Sequence, residues 1–138
     1  MTETEHDRSD EFCRLDGVGA VVTGSSSGMG RAIALELSRA GARVVVHCRE
    51  SVDSAEELVE LIRGSGGEAQ MLVADLSDPA EVDAMLDRSW QLLGGVDAWV
   101  NNAGVDLLTG SEAGWSFDEK LAALWEGDIR ATIRLARA

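Results

Sequence analysis

The sequence predicts an α/β fold in which helices cover both faces of a parallel sheet. Short apolar runs alternate with longer amphipathic segments in the order β-α-β-α-β-α-β-α. Connections of about a dozen residues or more join parallel strands, and right-handed crossovers wind the chain over both faces. The first apolar run, residues 18–23, has almost no polar side chain, as is typical of a strand buried on both faces. We therefore predict a three-layer, doubly wound parallel sheet with the strand order 3-2-1-4.

The boundaries of the predicted elements come from periodicity and from helix-end signals. A serine or aspartate followed three residues later by glutamate, the spacing of a capping box, marks three of the four helix starts. These pairs are Ser54 with Glu57, Asp78 with Glu81 and Ser116 with Glu119. Pro79 is favoured in the first turn of the third helix, and Gly41 is favoured in the left-handed conformation that ends the first helix. The predicted strands are residues 18–23, 43–48, 69–74 and 96–100, and the predicted helices are residues 28–40, about 54–63, 79–93 and 116–138.

Each of the first three helices is expected to bury one apolar stripe against the sheet. Apolar residues recur in them at spacings of three and four, which is the period of one helix face. The expected inward stripes are Met29, Ile33, Leu37 and Ala40 in the first helix, Ala55, Leu58, Val59 and Ile62 in the second, and Val82, Leu86, Trp90 and Leu93 in the third.

Composition restricts the classes of partner and compartment. The chain has 138 residues, a formal net charge of −13 and a pI of about 4.4. We expect neither nucleic acid nor a membrane as a partner, because anionic surfaces are bound mainly through Lys and Arg. Cys13, Cys48 and the two histidines show no metal-ligand spacing, so we predict no metal site and no disulfide framework. Residues 1–14 are predicted to form a disordered acidic leader before a domain at residues 15–138. They show no signal-peptide pattern, which favours the cytoplasm as the compartment of the protein.

A glycine-rich turn follows the first predicted strand, with the sequence Thr23-Gly24-Ser25-Ser26-Ser27-Gly28-Met29-Gly30. A strand, a glycine-rich turn and a helix in this order form a phosphate cradle, because the N–H groups of the turn face outward at the positive end of the helix dipole. Glycine lets the backbone approach a diphosphate without an intervening Cβ. An ordinary strand-to-helix turn is the alternative interpretation. The candidate ligands are Gly24, Ser26, Ser27, Gly28, Met29 and Gly30.

The end of the second strand indicates which dinucleotide binds. In such folds this position contacts the adenosine ribose, and a carboxylate there binds the ribose hydroxyls of NAD. The chain instead has Cys48-Arg49-Glu50. The guanidinium of Arg49 can neutralise the 2′-phosphate of NADP, so we favour NADP, with NAD as the alternative through Glu50. A solvated loop position is the other interpretation of Arg49.

Polar groups also follow the third and fourth strands. Asp75 and Leu76 come after the third, where the carboxylate can accept from an adenine amino group or instead bond to its own turn. The run Asn101-Asn102-Ala103-Gly104 ends the fourth strand. Its two amides need partners, because an unsatisfied buried amide costs about 1–3 kcal/mol. We predict that Asn101 and Asn102 tie adjacent strands together and that Ala103 and Gly104 let a nucleotide lie close.

Together, TGSSSGMG, the step Ala74-Asp75-Leu76 and NNAG, in this order and spacing, resemble the short-chain dehydrogenase/reductase family, whose fold is Rossmann-like. The resemblance covers residues 18–138. It implies hydride transfer between a nicotinamide cofactor and a small-molecule carbonyl or alcohol substrate. It further implies a diphosphate and the adenosine ribose at residues 24–30, adenine at residues 75–76, the nicotinamide-side ribose at residues 102–104, and a homo-oligomer for the full-length protein.

The same resemblance points to elements that this sequence lacks. The family's serine and Tyr-x-x-x-Lys lie on a strand and a helix beyond the last predicted helix, and this chain contains no tyrosine. A family asparagine that links the lysine to solvent corresponds to Asp128, which could act as a relay or stand half exposed on its helix. We expect a truncated cofactor-binding portion of an oxidoreductase, inactive by itself. A non-catalytic dinucleotide-binding or interaction module is the alternative.

Overall fold

A computed structural model describes residues 13–137 of the chain. Its strands are β1 (Gly19–Val22), β2 (Arg43–Cys48), β3 (Glu68–Val73) and β4 (Ala98–Val100). Its helices are α1 (Gly28–Arg39), α2 (Val52–Gly64), α3 (Pro79–Leu93), α4 (Phe117–Leu124) and α5 (Ala131–Ala136). A 3₁₀ turn lies at Gly110–Gly114, and a π-helical turn at Trp125–Arg130 joins α4 to α5. The predicted leader lies outside the described residues except for Cys13 and Arg14.

The four strands form one parallel sheet in the order β3-β2-β1-β4, which confirms the predicted topology. β1 lies inside the sheet, with Val22 paired to Val46 of β2 on one side and to Val100 of β4 on the other. Because all strands are parallel, their carboxyl ends meet along one edge of the sheet. In folds of this type that edge is where ligands bind.

Side chains of β1 and β2 alternate between two apolar cores, one on each face of the sheet. On one face, Ala20, Val22 and Val46 pack with residues of α1 and α2. On the other face, Val21 and Val45 pack with residues of α3. The expected stripe of α2 is confirmed, since all its members are buried: Ala55, Leu58, Val59 and Ile62. The sheet is therefore covered on both faces, as predicted.

The expected stripes of α1 and α3 are wrong at two positions. Met29 is 74% exposed, and the buried residues of α1 are Gly30 and Ala34. Trp90 is 48% exposed, and the buried residues of α3 are Val82, Met85, Ser89 and Leu93. Small side chains occupy the closest approach of α1 to the sheet, because a close-packed interior leaves no room there for larger ones. A stripe chosen by hydrophobicity alone misses such residues.

One of the three predicted capping boxes forms, at the start of α4. The Ser116 hydroxyl accepts from the Glu119 N–H, and the Glu119 carboxylate accepts from the Ser116 N–H at 2.8 Å. This reciprocal pair satisfies two amides that a helix start leaves without intrahelical partners.

The other two predicted boxes are wrong. α2 begins at Val52, so Ser54 lies within the helix and does not cap it. At α3, the Asp78 carboxylate accepts from the Ala80 N–H at 2.8 Å, as an N-cap does. The Glu81 carboxylate, however, accepts from the Asp75 N–H at 2.6 Å rather than from Asp78. Sequence spacing does not reveal which of two nearby amides a flexible glutamate reaches.

The last helical segment differs from the others in its exposure. None of the side chains of α4 is buried, and α5 buries Ala131 and Leu135. Large apolar residues at four-residue spacing are exposed along it: Phe117, Leu121, Trp125, Ile129 and Ile133. Among the described helices, none is both long enough and apolar enough to traverse a bilayer. Residues 13–137 also contain no group of three His, Cys, Asp or Glu side chains placed to hold a metal ion.

Candidate functional site

The predicted glycine turn lies at the carboxyl edge of the sheet, between the ends of β2 and β4. Its first three amides are bonded inward. The Thr23 N–H donates to the Val100 carbonyl at 3.0 Å, and the Ser25 N–H donates to the His47 carbonyl at 2.9 Å. The Gly24 N–H donates to His47 Nδ1 at 3.0 Å. The start of the turn is therefore anchored to both neighbouring strands.

The next five amides, those of residues 26–30, are not bonded to the neighbouring strands. The N–H groups of Ser26 and Ser27 form no hydrogen bond within residues 13–137, and the first intrahelical bond of α1 runs from the Arg31 N–H to the Ser27 carbonyl. Residues 28–30 form the first turn of α1, where N–H groups have no carbonyl to bond within the helix. Ser27 is the N-cap residue, but its side chain caps none of them. The amides of residues 26–30 thus have no hydrogen-bond partner among residues 13–137 and lie at the positive end of a helix, with Gly30 itself buried.

Glycines at two positions of the turn adopt backbone conformations that L-residues rarely take. Gly24 has φ of +61° and Gly28 has φ of +57°. A Cβ on Gly24 would lie 2.8 Å from the Cα of Ala103, whereas the space around Gly28 is open. A Cβ on Gly30 would overlap the Gly24 carbonyl and the Asn102 amide. The first and third glycines are needed for close packing, and the second is needed for its backbone conformation.

Asn102 confirms the predicted role of joining strands, whereas exposed Asn101 takes no part in these bonds. Its Nδ2 donates to the carbonyls of Thr23 and Gly24, both at 3.0 Å. The Thr23 hydroxyl accepts in turn from the N–H groups of Asn102 and Ala103, each at 3.0 Å. The glycine turn and the segment after β4 are therefore held together by reciprocal hydrogen bonds. Ala103 and exposed Gly104 follow Asn102 and carry no bulky side chain.

His47 is a site residue that the sequence reasoning missed. Its side chain is 2% exposed, and the ring joins the Gly24 N–H to the Ala74 carbonyl, with Nε2 3.0 Å from that oxygen. Burial lowers the pKa of His47 below its ordinary value, and the bond to Ala74 opposes this shift in part. The available signal was a histidine within the otherwise apolar run Val44-Val45-Val46-His47-Cys48.

Arg49 and Glu50 lie immediately after β2 and are both exposed. The Arg49 Nε is 3.3 Å from a Glu50 carboxylate oxygen.

After β3, the neighbouring strand, the Asp75 carboxylate accepts from the Ser77 N–H at 2.9 Å and from the Ser77 hydroxyl at 2.7 Å. These bonds, followed by a smaller attraction from Arg49, hold the pKa of Asp75 below its usual range. Asp75 thus stabilises its own turn in this structure, and Leu76 lines a groove of about 530 Å³ between α3 and α5.

Asp128 lies in the π-helical turn and contacts the segment that follows Gly104. Its carboxylate accepts from the Val105 N–H at 2.9 Å. A Cβ on the preceding Gly127 would lie 2.5 Å from the Cγ2 of Val105, so the helix and this segment approach closely. Among the apolar residues of the same helical segment, Leu121 and Trp125 are each 51% exposed, and Leu135 is buried. Asp128 is therefore part of a loop contact and does not lie on a buried stripe.

The parallel sheet, its order and the glycine turn together define a Rossmann-type α/β domain. The chain belongs to the short chain dehydrogenase family, because the family's model matches residues 19–136. The chain is similar to a 3beta-hydroxysteroid dehydrogenase 1 of Eggerthella lenta, with 42% identity over 98 residues that are 71% of this chain and 38% of that protein. It is also 44% identical to a short chain dehydrogenase of Claviceps purpurea over 92 residues, which are 67% of this chain and 35% of that protein.

Solved structures give the same assignment. A short chain dehydrogenase from Burkholderia cenocepacia, in complex with NADP, matches with a TM-score of 0.80 and 36% identity over 90% of this chain and 50% of that one. A metagenomic short-chain oxidoreductase in complex with NADP matches with a TM-score of 0.79 and 37% identity over 90% of this chain and 55% of that one. The chain spans about half the length of these structures.

Proposed function

We propose that this chain binds NADP, with the diphosphate on the amides of residues 26–30, as the cofactor-binding portion of an oxidoreductase. One observation carries the proposal: five consecutive N–H groups lack partners among residues 13–137 and lie at the start of α1. Such an array attracts an anion through hydrogen bonds and through the helix dipole. Anchoring of residues 23–25 to β2 and β4 fixes the array before the cofactor arrives.

The adenosine half of the cofactor is assigned to the ends of β2 and β3. Arg49 is exposed and can exchange its contact with Glu50 for the 2′-phosphate of NADP, because a phosphate offers a guanidinium more charge than one carboxylate does. Asp75 and Leu76 are assigned to the adenine. The NADP complexes of the Burkholderia and metagenomic relatives support the preference for NADP over NAD.

The nicotinamide half is assigned to the segment after β4. Asn102 and Ala103 contact the glycine turn and Gly104 follows them, so we assign the ribose next to the nicotinamide to this segment. When bound, the cofactor supplies a hydride acceptor or donor, which in the whole protein reacts with an alcohol or carbonyl carbon of a small molecule. Asp128 holds the Val105 N–H at the end of this segment, and we assign it a positioning or relay role there.

We further propose that this chain does not turn over substrate by itself. The family resemblance places a serine, a tyrosine and a lysine in the reaction, and the absence of tyrosine from the sequence supports this proposal. The whole protein is proposed to be a cytoplasmic homo-oligomer. The thiols of Cys13 and Cys48, both free, are compatible with that compartment.

A calorimetric titration tests the cofactor assignment. The chain is titrated with NADP and with NAD, and Arg49→Gln and Glu50→Gln serve as a matched pair that neutralises one charge each. We expect tighter binding of NADP, a selective loss of NADP affinity in Arg49→Gln, and no such loss in Glu50→Gln. Equal affinities of the unaltered chain for the two cofactors contradict the NADP preference. Absence of binding to either contradicts the function itself.

A further inference from the structure

Both ring nitrogens of His47 contact backbone groups. One of these groups can only donate a hydrogen bond, and the other can only accept one. A backbone N–H, that of Gly24, points at Nδ1, and a backbone carbonyl, that of Ala74, lies 3.0 Å from Nε2. An N–H donates and a carbonyl oxygen accepts, so Nδ1 carries the lone pair and Nε2 carries the proton. The two partners therefore select one neutral tautomer of the ring.

We propose that His47, as this neutral tautomer, is a positioning residue for cofactor binding that holds the glycine turn in its binding conformation. The proposal rests on the dinucleotide function proposed above. The ring ties the first glycine of the turn to Ala74, the residue before Asp75. It thereby couples the diphosphate end of the crevice to the strand end assigned to the adenine.

The backbone of His47 adds to this coupling. The Ser25 N–H donates to the His47 carbonyl at 2.9 Å, and the His47 N–H donates to the Ser25 hydroxyl oxygen at 3.0 Å. That hydroxyl donates in turn to the Val22 carbonyl at 2.8 Å. The backbone bonds fix Ser25, whereas among the described residues the ring is what holds the Gly24 amide. Without the ring, the Gly24 amide, which precedes the amides of residues 26–30, loses its acceptor among the described residues.

Protonation of Nδ1 would place one donor against another. The Gly24 N–H would lose its acceptor, and a buried donor without a partner costs about 1–3 kcal/mol. Burial already lowers the pKa of His47 below its ordinary value. The neutral form therefore holds the turn at pH values above the ordinary histidine pKa, and the bond is lost as the pH falls through the lowered pKa.

The surroundings of the ring contain few other titratable groups that could produce such a dependence. Along its own segment these are Cys48 in β2 and Arg49 just after it. After β3 they are Asp75, which follows Ala74, and Glu81, which contacts the Asp75 N–H. Asp75 is bonded to Ser77, and Glu81 is bonded to the Asp75 N–H. The turn itself, residues 23–30, has no titratable side chain, and neither do the residues that α3 buries on this face of the sheet: Val82, Met85, Ser89 and Leu93.

The test compares three variants of the chain by calorimetric titration with oxidised NADP and NAD between pH 5.5 and 8. His47→Leu removes both ring contacts, and His47→Asn keeps an acceptor near the Nδ1 position. Val46→Ala, a buried neighbour on the opposite face of β2, is the control for lost stability alone. NAD is included because it lacks the 2′-phosphate, whose own titration near pH 6 would otherwise contribute to the profile.

We expect His47→Leu to weaken both cofactors about tenfold at pH 7.5 and to abolish the fall in affinity at low pH. His47→Asn is expected to recover part of the affinity, and Val46→Ala to lower the melting temperature while retaining the dissociation constants. Wild-type affinity and pH profile in folded His47→Leu overturn the proposal alone. Failure of the unaltered chain to bind either cofactor overturns the proposed function as well.

A measurement on the unaltered chain covers the case in which His47→Leu does not fold. Nitrogen-15 NMR of the imidazole reports which ring nitrogen carries the proton, and the Gly24 amide signal reports its hydrogen bond. We expect a proton on Nε2 at neutral pH and a joint change of the ring and Gly24 signals as the pH falls. A proton on Nδ1 at neutral pH, or independent changes, overturns the proposal.

Discussion

The β1-α1-β2 unit and the helical segment after β4 differ in how completely their apolar side chains are covered. All four residues of β1 are buried, and β2 is buried from Val44 to Cys48. In the helical segment, exposed large apolar residues recur every four positions from Phe117 to Ile133. The first unit obtains its packing from neighbours within the chain, whereas the second leaves one helix face uncovered among the described residues. The candidate site is built on the well-packed unit.

The difference also appears in the hydrogen bonds. The turn between β1 and α1 is bonded on one side to His47 and on the other to Asn102. The helical segment contacts the rest of the molecule through fewer bonds, among them Asp128 with Val105 and the exposed pair of Arg134 with Asp83. We therefore expect changes near the turn to affect folding and cofactor affinity together. Changes in the helical segment should affect neither strongly.

The largest effect is expected from Gly30→Val. The added side chain would overlap the Gly24 carbonyl and displace the Asn102 amide, so the turn and the segment after β4 must separate. Overpacking of this kind lowers the free energy of unfolding by about 3 kcal/mol and should abolish measurable cofactor binding. Denaturant unfolding and calorimetry check both results. Gly114→Val, in the 3₁₀ turn with open space around its Cα, is the control and should bind as the unaltered chain does.

The next largest effect is expected from Asn102→Ala. The substitution removes two hydrogen bonds to the carbonyls of Thr23 and Gly24. We expect a loss of about 1–3 kcal/mol in the free energy of unfolding and a weaker affinity for NADP. Neighbouring Asn101, which is exposed, provides the matched control as Asn101→Ala. Equal behaviour of the two variants would show that Asn102 does not link the strands energetically.

A smaller effect is expected from Ser116→Ala, which removes the hydroxyl of the capping box at α4. The loss in unfolding free energy should be about 1 kcal/mol, because one amide loses its cap. Hydrogen exchange should show faster opening of the first turn of α4, while the dissociation constant for NADP stays the same. A change in cofactor affinity would contradict the separation of the two regions.

The smallest effect on stability is expected from Leu121→Lys. The side chain is 51% exposed, and replacing it should change the free energy of unfolding by no more than about 0.5 kcal/mol. Val45→Ala, at a fully buried position of β2, is the contrasting variant and should cost about 1–3 kcal/mol. Thermal unfolding of both checks the contrast. A large loss in Leu121→Lys would mean that the exposed face is covered in solution.

The fold was predictable because its signals are redundant. Each strand is apolar, each connection is long enough for a crossover, and the glycine turn lies between the first strand and first helix. The capping box of Ser116 and Glu119 follows from local spacing, but the same spacing failed at Ser54 and at Asp78. There the helix begins earlier, or the glutamate bonds to another amide, and local sequence does not show either difference.

Met29 was assigned inward wrongly, since Gly30 is the buried residue there. Its close contacts are with Gly24 and with Asn102, and Asn102 is too distant in the sequence for a local pattern to show the contact.

The candidate site was predictable only in part. The spacing of TGSSSGMG and NNAG identified the turn and Asn102, because backbone geometry there requires particular residue types. The contact of the Glu81 carboxylate with Asp75 was not predictable, because a side chain's choice between nearby amides depends on the folded loop. The contacts of His47 were missed because its two backbone partners, Gly24 and Ala74, follow other strands, and no local pattern records them.

Amide NMR of the chain titrated with NADP tests the central claim most directly, because it observes each N–H of the turn separately. We predict that the signals of Ser26, Ser27, Gly28, Met29 and Gly30 shift with a common dissociation constant. The inward-bonded amides of Thr23 and Ser25 should shift less. Binding that leaves the signals of residues 26–30 unchanged, or no binding at all, would contradict the claim that these amides hold the diphosphate.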